Sequence, residues 1–185
     1  MTILPLAVEP FSPAPDRDML PSERREFVRT HRTCVFGTPR RNDGPAMSVV
    51  YYVPTDTNEL LVSTMRHRGK AKTVAHNPKV SLCVLGEQWP FSYLQVYCDA
   101  IVVDDIDLVV SVMMAVGERM SGDPLGDDAR PFVEEMAREE GRVVLRCRPY
   151  ETFATPPRHL HSNDQEELIT HWVSGRVPWD ATDPA

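Results

Sequence analysis

The sequence predicts a mainly β protein with flanking helices, its strands forming a six-stranded antiparallel sheet that closes into a small barrel. Three observations point there. Runs of Val, Leu, Tyr and other apolar residues follow one another along the chain, separated by Pro-, Asn-, Asp- and Gly-containing turns. No crossover helix stands between each consecutive pair, as a parallel sheet would need. The strands are spaced closely enough for a barrel, and closure removes the exposed edges such a sheet would otherwise present.

The elements follow in order. Residues 1–20 hold Pro5, Pro10, Pro13 and Pro15 and read as an extended arm. Pro21 opens a helix over 23–32, with Phe27 and Val28 on one side. TCVFGT (33–38) is the first strand, and Asn42-Asp43-Gly44 is a hairpin signal leading to the second, AMSVVYYV (46–53). After the turn PTDTN, ELLVST (59–64) is the third. VSLCVL (80–85) and YLQVYCDAIVV (93–103) are the fourth and fifth. RVVLRCR (142–148), then Pro149, then 151–154 form the sixth. Two helices interrupt the series, 107–120 with Asp107 as its N-cap, and the acidic 131–140. The core domain is thus 21–154. Residues 155–185 form a polar tail with one amphipathic piece, QEELITHWV (165–173).

Composition sets bounds on function. The chain has 185 residues, 42% hydrophobic and 25% charged, with 20 basic and 27 acidic side chains and a net charge of −7. That balance argues against a general nucleic-acid binder. The apolar runs, about eight residues at most, fall far short of a membrane helix. Cys34, Cys83, Cys98 and Cys147 are scattered through strand-like stretches without a CxxC, which reads as buried free thiols in a cytoplasmic protein. His159 and His161 lack the partner spacing of a metal site, and none is expected.

Charge is segregated along the chain. Residues 66–79 hold five basic side chains and no acid, whereas 104–140 hold eleven acids and three bases. Arg66, Arg68, Lys70 and Lys72 alternate at a spacing of two, which in an extended loop points them to one side. A helical turn starts around Lys70 and ends before Pro78. Cations beside the free amides of a helix start make a site for phosphate or carboxylate, and Ser63 and Thr64 add hydroxyls at the end of the preceding strand. A solvated basic loop balancing the acidic helices is the plainer reading of the same pattern.

The set Ser63-Thr64, Arg68-Gly69-Lys70, Asn77-Pro78 and Val80-Ser81-Leu82, with Gln95-Val96 downstream, resembles the flavin and deazaflavin split-barrel family typified by pyridoxamine 5′-phosphate oxidase. The likeness extends over about residues 23–153. It implies a six-stranded antiparallel split β-barrel, a homodimer with cofactor sites at the subunit interface, and a small-molecule substrate. Where the family carries Ser-Arg-Lys this chain has Arg68-Gly69-Lys70, and its second strand lacks a basic pair, so the run from Gly44 to Leu85 is more similar to the branch that uses coenzyme F420.

By that resemblance Ser63 and Thr64 hold the ribityl–phosphate region and Lys70 meets the phosphate, with Arg66, Arg68, Gly69 and Lys72 close by. Gln95 sits near the cofactor, that of its own or of the other subunit. The strand 46–53 lies along the ring, with Val49 and Tyr51 on one face and Ser48, Val50 and Tyr52 on the other. Trp89 caps the ring or packs beneath its loop. The implied activity is hydride transfer from reduced F420 to a small unsaturated acceptor, with no dedicated catalytic residue. The alternatives are an FMN-dependent reductase or oxidase, or a non-catalytic carrier of F420, flavin or heme. For heme, His67 or His76 would be the axial ligand.

Overall fold

The computed structural model describes residues 1–14, 17–87, 91–155 and 175–184. The sheet has strands β1 (Thr33–Thr38), β2 (Ala46–Tyr51), β3 (Val53–Pro54), β4 (Leu60–Met65), β5 (Lys79–Leu85), β6 (Tyr93–Val103), β7 (Arg142–Phe153) and β8 (Arg176–Pro178). They run in the order β2-β1-β5-β6-β7-β4-β3, all antiparallel, with β8 paired to the end of β7. Around them lie α1 (Pro21–Thr30), α2 (Gly69–His76), α3 (Ile106–Ser121) and α4 (Arg130–Glu139).

The shape follows from one residue. β2 lies at one edge of the sheet and β3 at the other, yet only Tyr52 separates them in the chain. Two Cα steps span at most about 7.6 Å, so the sheet must curl until its two edges meet there. Tyr52 is fully buried and donates its hydroxyl to the Val28 carbonyl at 2.7 Å, which fixes the junction to α1. Away from Tyr52, β2 pairs with β1 while β4 pairs with β7 and β3. No ladder joins β2 to β4 among the described residues, so the barrel is split along that line.

Strand alternation sorts the core into two layers. Phe36, Leu82, Val96, Leu145 and Val62 face the barrel interior, and Phe27 and Val28 of α1 and Ala71 and Val74 of α2 enter the same cluster. Leu61 and Val144 face the other way and pack against Val109, Val112 and Ala115 of α3 and Val133 and Ala137 of α4. Each large apolar side chain so buried contributes roughly 1.5–3 kcal/mol.

Several sequence expectations are corrected. Among the described residues there are eight strands rather than six, because the second breaks at Tyr52 and β8 adds a short pairing. The last expected strand continues through Pro149 to Phe153. A bulge opposite Tyr97 and Cys98 absorbs Tyr150, which relieves the ladder next to the proline. The first helix begins at Pro21 because the Glu23 carboxylate accepts from the Leu20 N–H at 2.8 Å. It ends at Thr30, and His31 is already extended. The N-cap of α3 is Asp105, which accepts from the Leu108 N–H at 3.1 Å, not Asp107. Gly122, with φ of +83°, closes that helix in the left-handed conformation.

The proline-rich arm is extended and docked. Leu4 N–H donates to Pro54, Ile3 bridges Thr55, and the buried Arg119 guanidinium donates to the Leu4 carbonyl at 3.0 Å. The expected tail helix at 165–173 lies outside the described residues. All four cysteines are unbridged. Burial pushes the Cys147 thiol up to about 12, with the nearby Glu59 charge adding to the shift. Among the described residues, no helix is long and apolar enough to cross a membrane.

Candidate functional site at the split

The split in the barrel gathers the residues the sequence singled out. Its β2 side carries Ser48, Val50 and Tyr51, and its β4 side ends in Ser63, Thr64 and Met65. The chain then turns through Arg66, His67 and Arg68 into α2. From the first turn of α2, Lys70 reaches back across the split and donates to the Ser48 hydroxyl at 2.9 Å. Its ammonium also lies 5.9 Å from the centroid of the Phe36 ring, a weak cation–π contact.

Two independent features suit this end of the split to an anion. The first is the helix start. Arg68 occupies the N-cap without a side-chain cap, the first turn contains no acid, and the first main-chain bond of the helix runs from Lys72 N–H to Arg68. The amides of Gly69, Lys70 and Ala71 therefore have no helical partner and sit at the positive end of the helix dipole. Gly69 is exposed, with nothing within 4 Å of where a Cβ would stand, so an incoming group can approach closely. The second feature is uncompensated charge. Burial lowers the Lys70 pKa and the neighbouring Arg68 cation lowers it further. Among the described residues, no carboxylate is paired with Lys70, Arg68 or Lys72. The two ends of the basic run are neutralised, Arg66 by Asp104 and Lys79 by Asp99.

The four alternating cations do not share a side. Residues 69–76 are helical, so a spacing of two turns Lys70 and Lys72 about 200° apart around the axis. Lys72 instead lines a neighbouring groove with Arg66, His67, His76 and Arg138. The adjacent hydroxyls also part company. Thr64 points into the barrel and is buried. Ser63 faces the helices, and its Oγ is inaccessible and has no hydrogen-bond partner. With Tyr51 and Val50 it lines a groove of about 390 Å³ against α3 and α4.

Val49 lies on the opposite face of β2 from Ser48, 75% exposed, in a cross-strand row that runs Val49, Val35, Cys83, Gln95, Phe153. Gln95 is therefore on the outer face of the sheet, three strands from β2 and apart from Lys70. Trp89 lies outside the described residues. Ser48 carries the contact that positions Lys70. Strand alternation placed it on the face opposite Val49, but only the folded chain shows which face meets α2. Among the described residues no three His, Cys, Asp or Glu side chains cluster so as to hold a metal ion.

The sequence profile of the family described as pyridoxamine 5′-phosphate oxidase matches residues 20–155. Among solved structures, the conserved hypothetical protein Rv2991 from Mycobacterium tuberculosis superposes with a TM-score of 0.66 at 24% identity, covering 83% of this chain and 97% of that one. An F420 reductase superposes with a TM-score of 0.53 at 20% identity, over 68% of this chain and 91% of that one. A pyridoxamine 5′-phosphate oxidase-related, FMN-binding protein from Nostoc punctiforme gives 0.51 at 17% identity, over 85% and 93%. No curated protein matches the sequence. At these identities the solved structures share the fold, and the match across 20–155 supplies the affiliation: the chain belongs to the pyridoxamine 5′-phosphate oxidase-like split-barrel family.

Proposed function

We propose that this protein is an oxidoreductase that passes a hydride from reduced coenzyme F420 to a small unsaturated organic acceptor. One observation carries the reading. Lys70, held by Ser48 at 2.9 Å and without a carboxylate partner among the described residues, stands beside the uncapped amides of α2 at the open end of the split. A phosphodiester fits that donor set, with two or three amides, the Lys70 ammonium and the Arg68 guanidinium available to its oxygens. The F420 reductase with the same fold supports the choice of cofactor.

When bound, a deazaflavin supplies the hydride, and the protein supplies binding, orientation and a dry site. Here Lys70, Arg68 and the α2 amides would anchor the anionic end, Ser48 fixes the Lys70 rotamer, and Tyr51 and Ser63 border a groove on the α3–α4 side. FMN is the second reading. It is favoured by the FMN-binding protein of like fold. Parallel fluorescence titrations with F420 and FMN test the choice, followed by anaerobic mixing of bound reduced F420 with a cyclic enone. Tight F420 binding and recovery of the oxidised cofactor support the proposal. Tighter FMN binding transfers it to the flavin reading, and binding of neither leaves only a shared fold.

The same proposal includes a homodimer formed through the outer face of β2, β1 and β5. That face leaves Met47 66%, Val49 75% and Leu85 48% exposed, and it continues onto Gln95 of the adjoining β6. Burying these side chains against a second copy would remove an apolar patch that a monomer leaves in water. Three deeply buried thiols, Cys34, Cys98 and Cys147, none of them bridged, support a reducing, cytoplasmic setting.

A further inference from the structure

We propose that Lys70 is an acylation site for acyl phosphates, whose phosphoryl group docks at the start of α2 and delivers the acyl carbon to the Lys70 amine. The inference rests on the anion seat of the function proposed above, and not on which cofactor fills it. Acylation of Lys70 would close that seat to the cofactor.

The chain has three lysines, Lys70, Lys72 and Lys79, and the fold gives each a different setting. Lys79 is exposed, ion-paired with Asp99 at 2.7 Å and placed over the Tyr150 ring, and the Asp99 carboxylate raises its pKa. Lys72 is exposed and lines the groove with His76 and Arg138. Lys70 is half-buried, and among the described residues no carboxylate is paired with it. Burial and the Arg68 cation lower its pKa, so a larger share of it is neutral amine at a given pH. Only that neutral form is a nucleophile. The Ser48 hydroxyl accepts one Lys70 N–H at 2.9 Å, which holds the nitrogen in place and leaves its lone pair free.

The donors beside Lys70 select the reagent. The first-turn amides of α2 and the Arg68 guanidinium suit a phosphoryl group, and Gly69 leaves room for its close approach. In an acyl phosphate the carbonyl carbon stands one bridging oxygen from the phosphorus. A phosphoryl group docked there therefore brings that carbon within reach of the Lys70 nitrogen. The neutral amine attacks the carbonyl carbon and a C–N bond forms. The bond from that carbon to the bridging oxygen breaks, and its electron pair leaves on the phosphate. The surplus amine proton passes to the phosphate, so the products are an N-acyl-lysine amide and hydrogen phosphate, with nothing oxidised or reduced. The donors that seat the phosphoryl group also stabilise the charge that grows on it as it departs. The amide formed at Lys70 is uncharged and bulkier, so the seat loses its half-buried cation.

The test is peptide mass spectrometry of the full chain, without cofactor, after timed exposure to acetyl phosphate or to acetic anhydride, an uncharged acetyl donor. Acetyl phosphate is expected to modify Lys70 at least about fivefold faster than Lys72 or Lys79, although both of these are more exposed. Excess inorganic phosphate should slow the reaction at Lys70 and leave the other two unchanged. Acetic anhydride, which has no phosphoryl group to dock, should lose the preference for Lys70 over Lys72. Acetyl phosphate that modifies Lys70 no faster than Lys72, inorganic phosphate that fails to slow it, or an equal Lys70 preference with the anhydride each overturns the proposal. Separate titrations with F420 and FMN distinguish the two readings. Selective acetylation of Lys70 in a protein that binds neither cofactor leaves the modification site standing and removes the oxidoreductase reading. Cofactor binding without selective acetylation does the reverse.

Discussion

Replacing Lys70 with alanine removes the one half-buried cation of the anion seat. Among the described residues its ammonium has a single side-chain hydrogen bond, to Ser48 at 2.9 Å, and no carboxylate, so it is not spent on an internal ion pair. A hydrogen bond to a charged group is worth about 1.5–3 kcal/mol. Taking roughly 2–3 kcal/mol for a phosphate contact at a partly desolvated site, and 1.36 kcal/mol per tenfold, the variant should bind the cofactor about 30- to 160-fold more weakly. Ser48→Ala removes only the group that orients Lys70. It should cost about 0.5–1.5 kcal/mol, or roughly 2- to 13-fold. Folding stability should barely change in Lys70→Ala, because burial already disfavours the charged ammonium. The assay is fluorescence titration with F420 and FMN at two salt concentrations, with Lys79→Ala as control, since Lys79 pairs with Asp99 on the outer face. The wild-type affinity should fall with salt, and the Lys70→Ala affinity should fall less steeply. A Lys70→Ala affinity within threefold of wild type for both cofactors, with the control equally affected, would refute the assignment of the seat.

Other consequences concern stability. His31 is buried, stacked on Phe27 at 3.9 Å, and its Nδ1–H donates to the Phe27 carbonyl at 2.7 Å. Burial lowers its pKa, so below about pH 6.5 the unfolded chain takes up a proton that the native chain refuses. Stability should therefore decline as pH falls from about 6.5 toward the depressed native value, and urea midpoints at pH 7.5 and 5.5 should differ less in His31→Gln. The lowered carboxyl groups of Glu23, Asp104 and Asp183 lose their contribution at more acid pH, below their ordinary values, as separate melts near pH 3 should show. Tyr52→Phe deletes the hydroxyl at the junction of β2 and β3 and leaves the Val28 carbonyl unpaired, so it should cost about 1–3 kcal/mol by urea denaturation. Asp105→Ala removes the cap of α3 and should cost about 0.5–2 kcal/mol, whereas Asp107→Ala should cost less.

Much of the fold is written locally in the sequence. Apolar and β-branched runs bounded by turn residues place the strands Thr33–Thr38 and Tyr93–Val103 at the bounds they adopt, and there their side chains face a barrel interior on one side and a partly open surface on the other. Asn77-Pro78 ends α2 where proline forbids a further helical residue before it. The cation run, with no acid among its members, marks the region proposed as the anion seat. These signals depend on neighbours within a few positions.

The tertiary structure decided what depends on residues far apart. Nothing near Tyr52 in sequence says that β2 and β3 belong to opposite edges of one sheet. That follows from the pairing of β2 with β1 and of β3 with β4. Arg176–Pro178 has too few residues for a periodic signal and becomes a strand because β7 extends beyond the end of β4 and offers it unpaired main chain. Thr64 and Ser63 were legible as a hydroxyl pair, but the sheet's curl assigns one to the barrel and the other to the groove. Likewise the helical turn of α2, not the spacing of its cations, aims Lys70 at Ser48 and Lys72 away from it. Local chemistry chose the residue types, and long-range closure of the barrel chose which of them meet.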